Sequence, residues 1–112
     1  MKIFKSSKQL PALLAASVWL FSHSAFGAFL YEADYNSNTI NKFTPGGSKS
    51  AFATGLNGPT GLAFDSNGNL FEGDWNGEAI YKFSPGGSKS TFVSSGLNNP
   101  NALAFDKSGN LF

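Results

Sequence analysis

Short apolar runs alternate with turn-forming residues along most of the chain. Between residues 58 and 95 four such runs follow one another, at 61–65, 70–75, 79–84 and 91–94. The segments between them are rich in glycine, asparagine and proline, which supply the backbone conformations that tight hairpin turns require. Each run is too short for a helix of ordinary length. The pattern therefore predicts an all-β chain built from four-stranded antiparallel units.

The unit is repeated. Segment 40–50 (INKFTPGGSKS) is matched by segment 80–90 (IYKFSPGGSKS), and segment 58–65 (GPTGLAFD) is matched by segment 99–106 (NPNALAFD). Four strands in about 40 residues are typical of one blade of a β-propeller. We therefore predict about two blades of an incomplete ring. The predicted boundaries are 29–54 for three strands of blade 1, 58–95 for blade 2 and 99–112 for the start of blade 3.

The first 27 residues do not follow the repeat. Lys2, Lys5 and Lys8 precede an apolar run at 10–21, and small residues follow at Ala25 and Gly27. This layout is typical of a secretory signal peptide, so we predict cleavage after Gly27 and a location in the periplasm, at the cell surface or outside the cell. A helix of this run would be about 18 Å long, which is too short to span about 30 Å of hydrocarbon.

The composition after Gly27 narrows the range of possible functions. Those 85 residues hold five lysines, seven carboxylates and no arginine or cysteine, a formal charge of about −2. We therefore expect no nucleic-acid partner, and no disulfide or thiol site. The one histidine, His23, precedes the predicted cleavage site. The sequence contains no Ser-His-Asp set, no phosphate-binding glycine loop and no Cys/His metal motif.

The repeated segments resemble the NHL-repeat pattern. The residues that carry the resemblance are GPTGLAFD at 58–65, GNLF at 68–71, Asp74 and IYKF at 80–83. The resemblance implies a propeller, six-bladed in similar proteins, and that group includes enzymes as well as binding scaffolds. The predicted mature chain begins at the second strand of blade 1 and reaches Phe112 within blade 3. We expect either a piece of a longer propeller, which is the favoured alternative, or a short chain whose copies assemble into one ring.

Strand direction predicts that one end of the blades carries the ligand site. The loops after the second and fourth strands share that end, and they are rich in carboxylates, amides and aromatic rings. The candidate ligand-binding residues are Asp34, Tyr35, Asp74, Trp75 and Asn76. An unidentified protein or carbohydrate would be the partner. Two alternatives remain open: the aspartates could bond to their own loop amides, and Trp75 could pack between blades.

Two glutamates near that end, Glu32 and Glu72, allow two interpretations. Each precedes an aspartate by two residues, so the two carboxylates share one face of a strand and could form an acid/base pair or a cation site. Alternatively, a hairpin around 76–78 places Glu72 opposite Lys82, and the same count places Glu32 opposite Lys42. The second interpretation, a repeated cross-strand ion pair that helps to fix register, is favoured.

No cofactor is evident, although two features allow a divalent metal such as calcium. Segments 65–69 and 106–110 are similar to half of a calcium loop, but they lack its glycine and glutamate positions, and a hairpin turn explains them. Segment 100–105 (PNALAF) is similar to a segment of gluconolactonase- and regucalcin-like propellers, and this resemblance implies that Asn101 could bind a divalent metal. An ordinary asparagine turn before a strand is the alternative.

Three functions follow from this pattern. The first, which is favoured, is a non-catalytic binding scaffold, because the blades are almost identical and no single blade carries a distinctive reactive residue. The second is a metal-dependent, lactonase-like hydrolase. The third is a two-bladed, lectin-like subunit that forms a homo-oligomeric ring only if the chain is complete. Segment 68–80 also resembles streptogramin-lyase propellers, and that resemblance implies a histidine base, for which residues 28–112 offer no candidate.

Overall fold

The computed structural model describes residues 2–4, 17–24 and 27–112. All regular elements in these residues are β-strands. The described residues contain no helix long and apolar enough to cross a membrane. The strands are β1 (Lys2–Phe4), β2 (Ser17–Ser24), β3 (Gly27–Asp34), β4 (Thr39–Phe43), β5 (Lys49–Ala53), β6 (Pro59–Phe64), β7 (Leu70–Asp74), β8 (Ala79–Phe83) and β9 (Lys89–Val93).

The strands form two antiparallel sheets in which each strand pairs with its neighbours in the sequence. The first sheet has the order β1-β2-β3-β4-β5 and the second has the order β6-β7-β8-β9. The two sheets repeat the same pairing, because Leu30 pairs with Phe43 in the first and Leu70 pairs with Phe83 in the second. Two neighbouring sheets of this kind are two blades, so the predicted all-β propeller architecture is confirmed. We call the first sheet blade 1 and the second blade 2.

The predicted signal peptide lies partly outside the described residues, which omit 1, 5–16 and 25–26. The described residues of this region include β2, which pairs along its length with β3, and Leu20 on β2 is fully buried. In the uncleaved chain β2 therefore forms the inner strand of blade 1, a position for which the repeat predicts no strand. Valine, tryptophan and phenylalanine around Leu20 favour strand structure. Cleavage after Gly27 stays a prediction.

The seam between the two blades is the main hydrophobic core. Leu20, Tyr31 and Ile40 of blade 1 pack with Leu62 and Leu70 of blade 2. Aromatic rings cross the seam edge to face, since the Tyr31 and Phe64 ring centroids are 5.1 Å apart and those of Phe52 and Phe83 are 5.8 Å apart. Burial of each large apolar side chain contributes roughly 1.5–3 kcal/mol, so this seam holds the blades together.

The opposite face of blade 2 carries a second apolar cluster. Ala63, Phe71 and Ile80 pack there with Leu103. Leu103 belongs to the start of blade 3, residues 99–112, which we call the third unit. The third unit is also tied to blade 2 by Thr60, whose hydroxyl lies 2.9 Å from the carbonyl oxygen of Pro100 and donates there or to Gly73 O at 3.0 Å. Side chains alternate across a strand. Leu70 therefore faces the seam with blade 1, while Phe71 faces the third unit.

The strand register differs by one residue from the register predicted from sequence. Glu72 pairs with Tyr81 and Glu32 pairs with Asn41, so the predicted pairing of the glutamates with lysines is wrong. Lys82 pairs instead with Phe71, and its ammonium lies 5.7 Å from the centre of that ring. The shift arises because the turn after Asp74 has four residues, 75–78, and ends with Glu78 at a φ of 52°.

Candidate functional site

Four loops meet at one end of the blades, as strand direction predicts. Residues 35–38 and 75–78 are the turns that follow β3 and β7, and residues 54–58 and 94–101 follow β5 and β9. Backbone hydrogen bonds join them across the chain: Trp75 N donates to Gly58 O at 2.8 Å, and Asn76 N donates to Asn57 O at 3.0 Å. We call these four loops the loop end. Their mutual bonding makes it one continuous surface.

The two aspartates of the loop end bond to backbone amides. Asp34 accepts from the amides of Asn36 and Ser37 at 3.1 and 3.2 Å, which closes its own turn. Asp74 is 1% exposed. Its two oxygens accept from Gly77 N and from Asn57 N, both at 2.9 Å. Both carboxylates therefore shape loops, and the Asp74 carboxylate lies beneath the surface that a ligand would reach.

The other three candidate residues are accessible at the loop end. Asn76 is exposed, and Tyr35 and Trp75 are half-buried. The Asn76 amide nitrogen donates to the Tyr35 hydroxyl at 3.1 Å, which links the turn of blade 1 to that of blade 2. Asn99 Nδ2 donates to Trp75 O at 3.0 Å, which fixes the backbone that carries the indole. The three side chains present neutral hydrogen-bonding and aromatic groups.

Gly58 makes the Tyr35–Asn76 contact possible. Its φ is +80°, and an added Cβ would lie 2.7 Å from Asn76 Nδ2 and 2.8 Å from Tyr35 Cε2. Its amide donates to the Asn38 side-chain oxygen at 2.8 Å. A residue with a side chain would push the tyrosine and the asparagine apart. Glycine at this position therefore lets the two turns approach each other.

The glutamates do not join the loop end, and they differ from each other more than the repeat predicts. Glu32 accepts from Asn41 Nδ2 at 3.0 Å. Glu72 is 0% exposed, and neither of its oxygens has a hydrogen-bond partner. Burial and, to a smaller extent, the charge of Asp74 raise the pKa of Glu72 to about 8, although the charge of Lys89 acts in the opposite direction. The sequence signal for this difference between the glutamates is Tyr81, which stands in blade 2 where blade 1 has Asn41.

The segments that are similar to half of a calcium loop fold as turns at the other end of the blades. Asp65 accepts from the side chain and the amide of Asn69, both at 2.8 Å, and Asp106 makes the same two bonds with Asn110. Partial burial acts to raise the pKa of Asp65, but the Asn69 hydrogen bonds outweigh it and hold the pKa below its ordinary value. The Asn110 hydrogen bonds lower the pKa of Asp106. The carboxylates of both turns are thus engaged internally.

The described residues were also compared with what a metal site needs. In the part of the chain that the structure describes, no group of three or more histidine, cysteine, aspartate or glutamate side chains could hold a metal ion. Asn101 is exposed, and its backbone oxygen lies against Gly61. The role of Asn101 as a metal ligand stays a prediction.

Comparison with known proteins identifies the architecture. No protein-family profile matches the sequence, and no curated protein sequence matches it. A streptogramin B lyase structure matches with a TM-score of 0.68 and 19% identity, over 81% of this chain and 31% of that one. A catalytically inactive variant of virginiamycin B lyase from Staphylococcus aureus, crystallised with quinupristin, matches with a TM-score of 0.69 and 20% identity, over 91% of this chain and 35% of that one.

The selenomethionine form of virginiamycin B lyase from Staphylococcus aureus gives a similar result, with a TM-score of 0.67 and 13% identity. This chain has a propeller fold. It spans about a third of the length of the solved structures that it matches. At these identities the likeness concerns the fold, and the propeller's function is a separate question that depends on its site residues.

Proposed function

We propose that this chain belongs to an exported propeller that binds a polar ligand, a protein or a carbohydrate, through the loop end and without catalysing a reaction. One observation carries this proposal. The carboxylates of Asp34 and Asp74 accept hydrogen bonds from loop amides, and Tyr35, Trp75 and Asn76 present accessible neutral groups beside them. Amides, phenols and indoles bind by hydrogen bonding and stacking.

The rigidity of the surface supports the same conclusion. Trp75 and Asn76 are held by backbone bonds to residues 57 and 58, and Tyr35 is bonded to Asn76. Binding to groups that are already ordered costs less conformational entropy than binding to mobile ones. The loop end is therefore suited to recognise a ligand with its existing geometry. Export by the predicted signal peptide would place this surface outside the cytoplasm.

A second candidate function is suggested by the comparisons. The matched structures are those of a streptogramin B lyase and of virginiamycin B lyase, and the latter was crystallised with quinupristin. A lyase of this kind would draw on parts of a propeller beyond the third that this chain covers. The resemblance implies a histidine base, and the single histidine of the chain is His23. Binding is favoured because the loop end of this chain supplies recognition groups of its own.

The test is a titration of the ¹⁵N-labelled 112-residue chain with neutral oligosaccharides, peptides and quinupristin, followed by amide chemical shifts. We expect shifts at residues 35–38 and 75–78, and at least tenfold weaker binding for Asn76→Ala, which removes the bond to Tyr35. Asn67→Ala is the matched control, because Asn67 is an exposed residue of a turn at the other end. Shifts confined to that other end would contradict the proposal, and turnover of quinupristin would favour the lyase.

A further inference from the structure

Glu72 occupies an unusual place in the seam between the blades. It lies on the same face of β7 as Leu70, which belongs to the core shared with blade 1, and it pairs with Leu62 of β6 and Tyr81 of β8. It has no exposed surface, and both of its carboxyl oxygens lack a hydrogen-bond partner. An unpaired carboxylate in apolar surroundings is costly, whereas the neutral acid is tolerated.

Asp74 and Lys89 act electrostatically on Glu72, and blade 1 brings further titratable groups to the seam. Asp74 on β7 bonds to two backbone amides. On β9 the Lys89 ammonium lies 3.9 Å from the ring centre of Tyr81, which is on β8. From blade 1, Tyr31 on β3 packs into the seam, and the Lys42 ammonium on β4 lies 4.3 Å from the ring centre of Phe29. Both ammonium groups therefore lie against aromatic rings.

Blade 1 shows that this arrangement is particular to the seam. Glu32, the equivalent residue, has the Asn41 amide across the strand pair as its hydrogen-bond donor. At the matching position of blade 2 stands Tyr81, and Glu72 receives no hydrogen bond. Only in blade 2 does the repeated glutamate face another blade without a donor. Its protonation therefore bears directly on contact between the blades.

We propose that Glu72 is a pH-sensitive element of the seam: its neutral form keeps the two blades packed, and its ionisation loosens their contact. The charged form would need water or a cation, and both require the apolar side chains around Leu62 and Leu70 to separate. The elements that move are the two sheets, and residues 54–58 connect them.

The direction of the pH effect follows from proton linkage. The pKa of Glu72 is about 8 in the folded chain, against an ordinary value of 4.5. Between these values the folded chain holds one more proton than the unfolded chain. The folding equilibrium constant therefore falls as pH rises, by up to about tenfold per pH unit in that range. The stabilisation is complete below the ordinary value and is lost once the pH passes the folded-state value.

The test is urea unfolding of the 112-residue chain at a series of pH values, with Glu72→Gln beside the unchanged protein. We expect the midpoint of the unchanged protein to fall steeply with rising pH, and that of Glu72→Gln to fall much less. The two proteins differ only at residue 72, so the difference between their midpoints isolates Glu72. Glu32→Gln is the matched control and should keep the steep fall. If Glu72→Gln does not fold, Glu72→Leu serves in its place.

A second measurement separates the seam from general unfolding. Methyl NMR spectra of isoleucine report Ile40, which lies in the seam core, and Ile80, which lies in the cluster on the other face of blade 2. We expect the Ile40 signal to titrate near the folded-state pKa of Glu72 while the Ile80 signal stays constant. Equal slopes in the unfolding series, or an unchanged Ile40 signal, would overturn the proposal.

Discussion

The two blades have nearly the same sequence, but their repeated glutamates have different surroundings. In blade 1 Glu32 bonds to Asn41, and in blade 2 Glu72 meets Tyr81 and lies unpaired in the seam. One residue on the neighbouring strand decides between a satisfied carboxylate and a buried acid. A repeat position therefore has no fixed chemistry. Its properties depend on the residue across the strand pair and on whether the face is covered by another blade.

The repeated aspartates differ in the same way. Asp34 closes its own turn, whereas Asp74 closes its turn and also accepts from Asn57 in the loop that joins the blades. Asp74 is fully buried. The difference shows that blade 2 uses its aspartate to fix the connection between blades, while blade 1 uses the equivalent residue only locally.

The largest expected effect comes from removing these aspartates one at a time. Asp74→Ala should lower the free energy of unfolding by about 3 kcal/mol, because it leaves two amides without an acceptor, one of them in the connection between blades. Asp34→Ala should cost about 1 kcal/mol, because the turn amides of residues 36 and 37 can bond to water. Urea unfolding at one pH measures both variants.

The matched pair also tests the interpretation. If the two variants lose equal stability, Asp74 does not act in the connection between blades, and the comparison of the two aspartates fails. Asp74→Asn adds a finer measurement, because it keeps the shape and one acceptor oxygen. We expect its cost to lie between those of the two alanine variants.

The sequence predicted the fold because the repeat and the turn residues act locally. Glycine and asparagine in segments such as 65–69 specify hairpins whatever surrounds them. The register was predicted wrongly, since the turn after Asp74 is one residue longer than assumed and Glu78 adopts a left-handed conformation. A shift of one residue moves every side chain to the other face. The isolation of Glu72 therefore could not be predicted by counting residues.

The candidate site was predicted in part for the same reason. Strand direction alone brought the loops of Tyr35 and Asn76 to one end, and the structure joins those two side chains by a hydrogen bond. Strand direction does not show which groups are accessible. Burial of Asp74 beneath the surface depends on its bond to Asn57, a contact between loops that are distant in sequence. Such contacts follow from packing and not from local pattern.

An intermediate effect is expected from giving Glu72 the partner that Glu32 has. Tyr81→Asn places an amide donor opposite Glu72, so the pKa of Glu72 should fall towards its ordinary value and the pH dependence of unfolding should shrink. The variant should also lose about 1 kcal/mol of packing at neutral pH, since a half-buried ring is removed. Carboxyl ¹³C NMR of a glutamate-labelled chain measures the pKa directly.

Tyr81→Phe is the control for this exchange. It keeps the ring and adds no donor, so the pKa of Glu72 should stay at about 8. A fall of equal size in both variants would mean that Tyr81 acts through packing, and the contrast between the two glutamates would no longer rest on the hydrogen bond from Asn41.

The smallest effect is expected where the two blades are alike. Thr44 Oγ1 accepts from Ser48 N and Ser84 Oγ accepts from Ser88 N, each at 3.1 Å, and both bonds close the turn before the outer strand. Thr44→Ala and Ser84→Ala should each lower the free energy of unfolding by about 0.5 kcal/mol, because water can replace the lost acceptor. Paired urea curves measure the difference. Effects that differ by more than about 1 kcal/mol would show that the blades diverge even where their contacts coincide, so the glutamate and aspartate contrasts could not be attributed to their partners.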